Sequence, residues 1–265
     1  MYTSIRSFTY KDEEIVPTSS DLITETPLEI MINDSEKTLI MFTPENTREL
    51  VIGFLFTEGR IESISEIEDC NIKESAENGE DIIKARVKIP KLNSPMAASV
   101  RKRISYSSCG VCGKESYDQM TQGLNRVKSK LKFDPELLRR LPEELYSSQP
   151  LYRRTGGAHA AALFDSTGSR LFCFEDMGRH NALDKVIGAS LIKGIPFDDK
   201  ILVSSGRASL EMMIKTARAG VPLFIAMSRP TSKSVEAAKY FNITLLDMAK
   251  GGIHIYSHVR RIQGF

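Results

Sequence analysis

The sequence predicts an α/β protein in which a mostly parallel sheet with flanking helices follows a smaller α+β domain. Three observations point there. After Pro150, short apolar runs alternate with segments of helical spacing, the pattern of βαβ units. Between Ile15 and Ile89, short β-like runs are broken by one good helix. Residues 90–108 between these regions are polar and basic, with little apolar periodicity. A chain of 265 residues can bury a full core. The change of pattern divides it into 1–125 and 126–265, with the boundary near Lys114 to Asp134.

In the N-terminal part, Thr24–Ile32 and Lys37–Phe42 alternate or run apolar around Asn33-Asp34, which predicts a hairpin. Thr43-Pro44-Glu45-Asn46 reads as an N-cap with proline at the first helical position, opening a helix through about Thr57 that ends at Gly59. Asp81–Ile89 is a further strand. The connector carries Lys91, Arg101, Lys102 and Arg103 and reads as exposed and mobile. Lys114–Leu131 has helical spacing through Tyr117, Met120, Leu124 and Leu131. Asp134-Pro135 opens another helix to about Arg140, before a break over Pro142–Pro150.

The C-terminal part begins with strands Ala158–Asp165 and Arg170–Glu175 around the turn Ser166-Thr167-Gly168-Ser169. Helix Asn181–Lys193, strand Lys200–Val203, helix Ala208–Arg218, strand Val221–Met227, helix Thr231–Phe241 and strand Ile243–Ala249 then alternate. Short buried strands separated by helices indicate a sheet covered on its faces. Gly220 and Asn242 sit where helix C-caps belong.

Lys and Arg number 36 against 34 Asp and Glu, so no global field recruits nucleic acid or an anionic membrane. Met1–Glu14 is charged and lacks an apolar leader core, and no apolar run reaches membrane-spanning length; the expected location is cytoplasmic, without membrane insertion. Four cysteines are too few for a disulfide framework in a chain of this size, and the close pair Cys109 and Cys112 points to metal or thiol chemistry.

The segment Phe172–Lys185 packs carboxylates, a guanidinium, an imidazole and an amide into one strand-to-helix junction. Such crowding is costly unless the groups hold a ligand or one another. A capped helix with a local ion-pair network is the alternative, weakened by a second junction of the same design at Ile201–Ser209. In open α/β sheets, ligands collect outside the carboxyl ends of the strands. The candidate site there comprises Asp176, Arg179, His180 and Asn181, then Ser204, Ser205, Gly206 and Arg207, then Ser228, Thr231 and Ser232. Gly156, Gly157 and His159 join them, as does the segment Met248, Ala249, Lys250, Gly251, Gly252 and Ile253. Small residues ahead of a helix N-terminus, with an Arg beside them, suit a phosphorylated heterocyclic ligand. No Walker sequence occurs, which disfavours a P-loop NTPase. His159 is equally at home as a hydrogen-bonded core residue, while His254 and His258 read as ordinary surface or strand residues.

Cys109-Gly110-Val111-Cys112-Gly113 places two thiols on a glycine-flanked loop near Lys114, Arg101 and Arg103, surroundings that favour the thiolate. Half of a zinc site, a thioredoxin-like couple and a persulfide-bearing sulfur carrier compete. Zinc would need two more ligands, yet Cys70 and Cys173 stand alone in apolar-looking segments, so no intrinsic metal is expected. A thioredoxin motif belongs between the first strand and helix of its own fold. The carrier survives best.

With these motifs assembled, the chain resembles the FdhD family, the formate dehydrogenase accessory sulfurtransferases, over nearly its whole length. The matching segments are Pro27–Asn33, Thr43–Ile61, Cys109–Cys112, Thr155–Asp165, Glu175–Gly188, Ser204–Lys215 and Ser228–Glu236. The resemblance implies a sulfurtransferase with Cys109 as persulfide carrier and Cys112 as its helper. It would take sulfur from a cysteine desulfurase and pass it to a molybdenum bis(molybdopterin guanine dinucleotide) cofactor, or the tungsten equivalent, before insertion into the formate dehydrogenase apo-enzyme. It also implies a cytidine-deaminase-like C-terminal domain binding the guanine-nucleotide end of that pterin cofactor, and a homodimer. Deamination itself is not implied, because the H-x-E and P-C-x-x-C zinc signature is absent. One departure stands out: the family's last motif carries an aromatic and two arginines, where Met248–Ile253 supplies Lys250, a point charge without arginine's planar fork. The alternative function is a non-catalytic chaperone that binds the cofactor and the apo-enzyme and needs the loops but not the thiols.

Overall fold

A computed structural model describes residues 1–77, 79–93, 121, 123–249 and 252–265. Cys109, Cys112, Lys250 and Gly251 lie outside the described residues, as does the first part of the helix expected over Lys114–Leu131.

The chain begins with a ribbon of two antiparallel strands, β1 (Tyr2–Lys11) and β2 (Glu14–Ile23). Asp12 and Glu13 both take positive φ, 52° and 65°, the backbone of a tight hairpin turn. β1 went unread in the sequence because its apolar residues Tyr2, Ile5, Phe8 and Tyr10 face solvent and leave no core-facing alternation. A four-stranded sheet follows, in the order β4 (Glu36–Phe42), β3 (Thr26–Ile32), β6 (Glu80–Lys88), β5 (Asp69–Glu77). The expected β3–β4 hairpin is present, turning on Asn33 and Asp34 at φ 50° and 52°.

Helix α1 (Thr47–Thr57) starts later than its cap signal. Asn46, in the left-handed region at φ 53°, precedes it, and Thr43 caps nothing. Thr43 instead spends its backbone N–H and hydroxyl on the segment around Asp176. Helix α2 (Pro135–Ser147) opens as expected, Asp134 accepting from Glu136 N at 2.9 Å, but runs through Pro142. A proline inside a helix costs about 3 kcal/mol. Burying Leu137, Leu138, Leu141 and Leu145 along one face returns roughly 1.5–3 kcal/mol each, so the helix continues. A short helix, α3 (Pro150–Thr155), follows. Residues 124–131, expected as helix, are not helical. Their backbone is held by long-range bonds instead: Val127 N donates to Phe241 O (2.9 Å) and Asn242 Nδ2 to Val127 O (2.6 Å).

The C-terminal sheet has the order β12 (His254–Ile255), β11 (Thr244–Asp247), β10 (Leu223–Ser228), β9 (Ile201–Arg207), β7 (His159–Phe164), β8 (Arg170–Asp176). It is mixed, which corrects the mostly parallel expectation. Only β9–β10 and β10–β11 pair in parallel. The tight turn before β8 and the short return into β12 force antiparallel pairings, and β7 enters between β8 and β9 against both. β8, β9, β10 and β11 nevertheless run the same way. β9, β10 and β11 are each reached through a helix, α4 (Arg179–Ile192), α5 (Leu210–Ala219) and α6 (Ser232–Phe241) in turn, and each steps in one direction across the sheet. Right-handed crossovers then put all three helices on one face. Along β7, Ala161 and Leu163 join the cluster beneath those helices, while Ala160, Ala162 and Phe164 face α2. Gly220 and Asn242 end their helices at φ 79° and 62°, as their positions predict.

One apolar cluster unites Leu28, Leu50, Val51 and Phe54 with Leu183, Val186, Leu202 and Phe224, so burial is continuous across residue 125. α1 and α4 cross almost backbone to backbone. A Cβ on Gly53 would lie 1.8 Å from Asp184 O, and one on Gly188 would lie 1.9 Å from Glu49 O. Beside the crossing, Lys215 of α5 reaches Asp184 (2.8 Å), Thr57 (2.8 Å) and Glu58 (3.1 Å), and Thr57 donates to Asp184 (2.8 Å). Burial opposes the Lys215 charge, but Asp184 and Glu58 outweigh it and raise its pKa.

Candidate functional site

Because β8, β9, β10 and β11 share a direction, their carboxyl ends form one edge, and the antiparallel β7 brings its amino end, His159, to the same edge. Asp176 closes β8, and its side chain is fully buried. Its Oδ1 accepts from Gly178 N (2.9 Å) and Asn181 Nδ2 (2.8 Å), and its Oδ2 from Thr43 N (3.2 Å) and Lys185 Nζ (2.7 Å). Lys185, equally buried, also donates to Thr43 O and Glu175 O, both at 3.2 Å. Every acceptor of this carboxylate is taken. Asp176 and Asn181, whose Nδ2 also reaches Met41 O, therefore fasten the turn and hold α4 in register with the N-terminal part. The Glu175 carboxylate does the same for α3, accepting from Leu151 N (2.8 Å) and Tyr152 N (2.7 Å). That helix delivers the exposed Gly156-Gly157 turn.

What the fastening leaves available is a cationic corner. Arg179, first residue of α4, lies across Gly206, where a Cβ would stand 3.0 Å from Arg179 Cδ. Its Nε is buried without a hydrogen-bond partner. Ser205 Oγ accepts from Ala160 N (2.9 Å) and lies 3.3 Å from His159 Nδ1. Burial, then the charges of Arg179 and His180, lower the His159 pKa, so the ring is neutral at neutral pH. If Nδ1 accepts the Ser205 proton, Nε2 carries the ring's own proton as a donor. His180 Nε2 lies 3.0 Å from Glu211 Oε2 and 3.4 Å from Ser209 Oγ, and its hydrogen bond lowers the Glu211 pKa. The corner offers a guanidinium with an unfilled position and a neutral imidazole, suited to an anionic group carrying acceptors. Among the described residues, no cluster of three or more His, Cys, Asp or Glu is arranged to hold a metal ion.

Residues 23–263 match the FdhD/NarQ family. The chain belongs to that family. A relative named sulfur carrier protein FdhD from Sulfurisphaera tokodaii is 35% identical over 97% of this chain and 98% of its own length. One of the same name from Saccharolobus solfataricus is 38% identical over 95% of each chain. The Bacillus subtilis protein of that name is 34% identical over 98% of each. A crystal structure of a putative formate dehydrogenase accessory protein from Desulfotalea psychrophila superposes with a TM-score of 0.77 at 23% identity, covering 98% of this chain and 99% of that one. That likeness shows a shared fold.

Within this FdhD/NarQ chain, the sequence-predicted residues divide into groups. His159, Arg179, His180, Ser205 and Gly206 come together. Ser204 is buried inside β9, its hydroxyl accepting from Gly206 N (3.3 Å). The segment Ser204–Arg207 is not a loop at a helix N-terminus: it extends β9, with Arg207 pairing across to Ser228 after a register shift. α5 starts only at Leu210, its first turn capped by Ser209. Parallel pairing with β10 stabilises this extension, and the residues alone do not announce it. Thr231 caps α6, Ser232 opens it, and Thr231 N donates to Ala208 O (3.1 Å), tying the two loops together. Met248 and Ala249 leave β11, and Gly252 and Ile253 lead into β12. His254 is a strand residue as expected, yet its Nδ1 lies 3.1 Å from the buried Asp247, which Ala249 N and Tyr256 also reach. The roles of Thr43, read as a cap, of Lys185, at the end of the crowded junction, and of Glu211 escaped the sequence reading. Each carries an ordinary helix or cap signal, and only the partner across the fold reveals its task.

Proposed function

We propose that this FdhD/NarQ protein is a cytoplasmic sulfur carrier that takes sulfur from a cysteine desulfurase and passes it to the molybdenum or tungsten bis(molybdopterin guanine dinucleotide) cofactor before insertion into formate dehydrogenase. The names of relatives that align along nearly the whole chain support the carrier role. Arg179 carries the ligand half: a buried guanidinium nitrogen without a partner, at the edge where four strand ends converge, is matched by an anionic ligand such as a nucleoside diphosphate. The division into units 1–125 and 126–265, the cytidine-deaminase likeness of the second and a homodimer belong to the same proposal.

The chemistry falls to the cysteine pair. The Cys109 thiolate attacks the outer sulfur of the donor's persulfide, forming a Cys109 persulfide and releasing the donor thiolate. The Cys112 thiolate then attacks Cys109 Sγ. Hydrosulfide leaves with the bonding electron pair toward the metal of the cargo, and a cellular dithiol reduces the resulting Cys109–Cys112 disulfide.

Two measurements test the halves separately. Incubation with a cysteine desulfurase and cysteine should add one sulfur to the Cys109 peptide by mass spectrometry; unchanged labelling of Cys109→Ala removes the carrier assignment. Retained complementation of formate dehydrogenase activity by Cys109→Ala would favour the chaperone. In calorimetric titration with guanosine diphosphate, Arg179→Ala should bind roughly ten- to a hundredfold more weakly, the loss of a charge-assisted hydrogen bond. Equal affinities would place the diphosphate elsewhere.

A further inference from the structure

A second charged surface lies at the opposite edge of the C-terminal sheet, beside the amino end of β11. Residues 124–133 are pinned there by alternate positions. Val127 bonds Phe241 and Asn242, Ser129 O accepts from the Arg261 guanidinium (3.2 and 3.3 Å), and Phe133 N donates to Arg261 O (2.7 Å). Val127 and Phe133 are buried at these pins, and Arg126, Lys128, Lys130 and Lys132 between and beside them are left outward. All four are exposed, as is Arg260, and none of the five forms an ion pair among the described residues. At two-residue spacing, four cations span at most about 20 Å.

Beside the row is a cleft lined by Lys130, Leu131, Asn242, His258, Arg260 and Arg261. Arg261 is buried and donates only to neutral acceptors, Ser129 O, Asn242 O and Thr244 Oγ1. Cations gather at helix carboxyl ends for the dipole's sake. Arg261 serves the end of α6 in that way, and His258 Nε2 meets Lys239 O at 3.0 Å beside it. The exposed row has no such partner. The formal net charge of the whole chain is only +2, so the concentration is local. No Phe, Tyr or Trp lines the cleft, which removes the stacking platform that single-stranded nucleic acid uses. In the sequence, the row follows the segment that carries Cys109 and Cys112.

We propose that residues 126–132 and 258–261 are the docking surface for the protein that donates sulfur, and that this partner presents a complementary row of acidic side chains. The proposal rests on the carrier function stated above. Its test follows sulfur loading of the full-length protein by mass spectrometry from two donors, a cysteine desulfurase with cysteine and inorganic polysulfide, which needs no docking. Lys128→Glu/Lys130→Glu/Lys132→Glu should slow desulfurase-dependent loading at least tenfold at low salt, with the Gln triple variant intermediate and polysulfide loading unchanged in both. Added salt should slow the wild type and spare the Glu variant. If the Glu variant fails to fold, the Gln variant decides by the same comparison. Equal desulfurase rates in wild type and variants would overturn the docking surface and leave the carrier function standing. Wild type that loads from polysulfide but not from the desulfurase would overturn the assigned partner. Wild type that loads from neither would remove the carrier function and this proposal with it. Salt-sensitive binding of a single-stranded oligonucleotide, lost in the variant while desulfurase loading persists, would reassign the surface to nucleic acid.

Discussion

At the α1–α4 crossing, two helices meet through Gly53 and Gly188 and enclose charged side chains; in the β1–β2 ribbon, two ten-residue strands pair, among the described residues, only with each other and leave Phe8, Tyr10 and Ile15 in solvent. The crossing holds Lys185 and Lys215 inside because each finds a carboxylate and further acceptors within 3.2 Å. The ribbon's rings stay outside because, among the described residues, cations lie over Tyr2 and Phe8 but no apolar core closes on them. Its fastening is polar: Ser7 meets Thr18 (2.9 Å) and Ser20 (2.7 Å), and Arg154 of α3 reaches Asp21 (2.5 Å) and stacks over Tyr2. A residue's polarity sets the cost of burial, while available partners decide whether that cost is met.

The sharpest way to break this contrast is Asp184→Ala. Leaving Lys215 buried with one acidic partner fewer should cost about 3–5 kcal/mol in urea unfolding. A loss below 1 kcal/mol would mean that water reaches the lysine. Gly188→Ala comes next. Its methyl would meet the Glu49 carbonyl of α1, and prying the helices apart should cost about 1–3 kcal/mol. An unchanged midpoint of unfolding would show that the helices slide freely.

A pH titration sharpens the comparison. The Lys215 pKa is raised in the folded state, so its contribution is fully present below the unfolded value near 10.5 and is lost as the pH climbs through the folded value. Wild type should lose stability across that alkaline window, and Lys215→Met, less stable at neutral pH, should show a flatter profile. The smallest effect belongs to the ribbon: Phe8→Ser, changing an exposed ring, should shift global stability by no more than about 0.5 kcal/mol. A larger loss would show that the ribbon is packed in solution.

What the sequence determined by itself is the local grammar. The β3–β4 hairpin, the alternation from β9 to β11, the Asp134 and Thr231 caps and the left-handed ends at Gly220 and Asn242 all rest on interactions spanning a few residues, and their signals lie next to one another in the chain. The β8–α4, β9–α5 and β10–α6 junctions were legible for the same reason, since strand-to-helix junctions can be located from periodicity, although β9 runs on to Arg207.

Only the tertiary structure decided the rest. Thr43 carries the cap signature, yet its best partner is Asp176, 133 residues away. The partners that bury Lys185 and Lys215 lie far off in the chain, Thr43 142 and Thr57 158 residues distant. That β7 also pairs with β9, and where β9 ends, depends on neighbours that the strands themselves do not specify. Pro142 stays helical because four leucines find a sheet to cover. In each case a local preference worth a few kcal/mol or less competes with burial and hydrogen bonding of similar size between distant parts of the chain, and the distant partner exists only once the fold has formed.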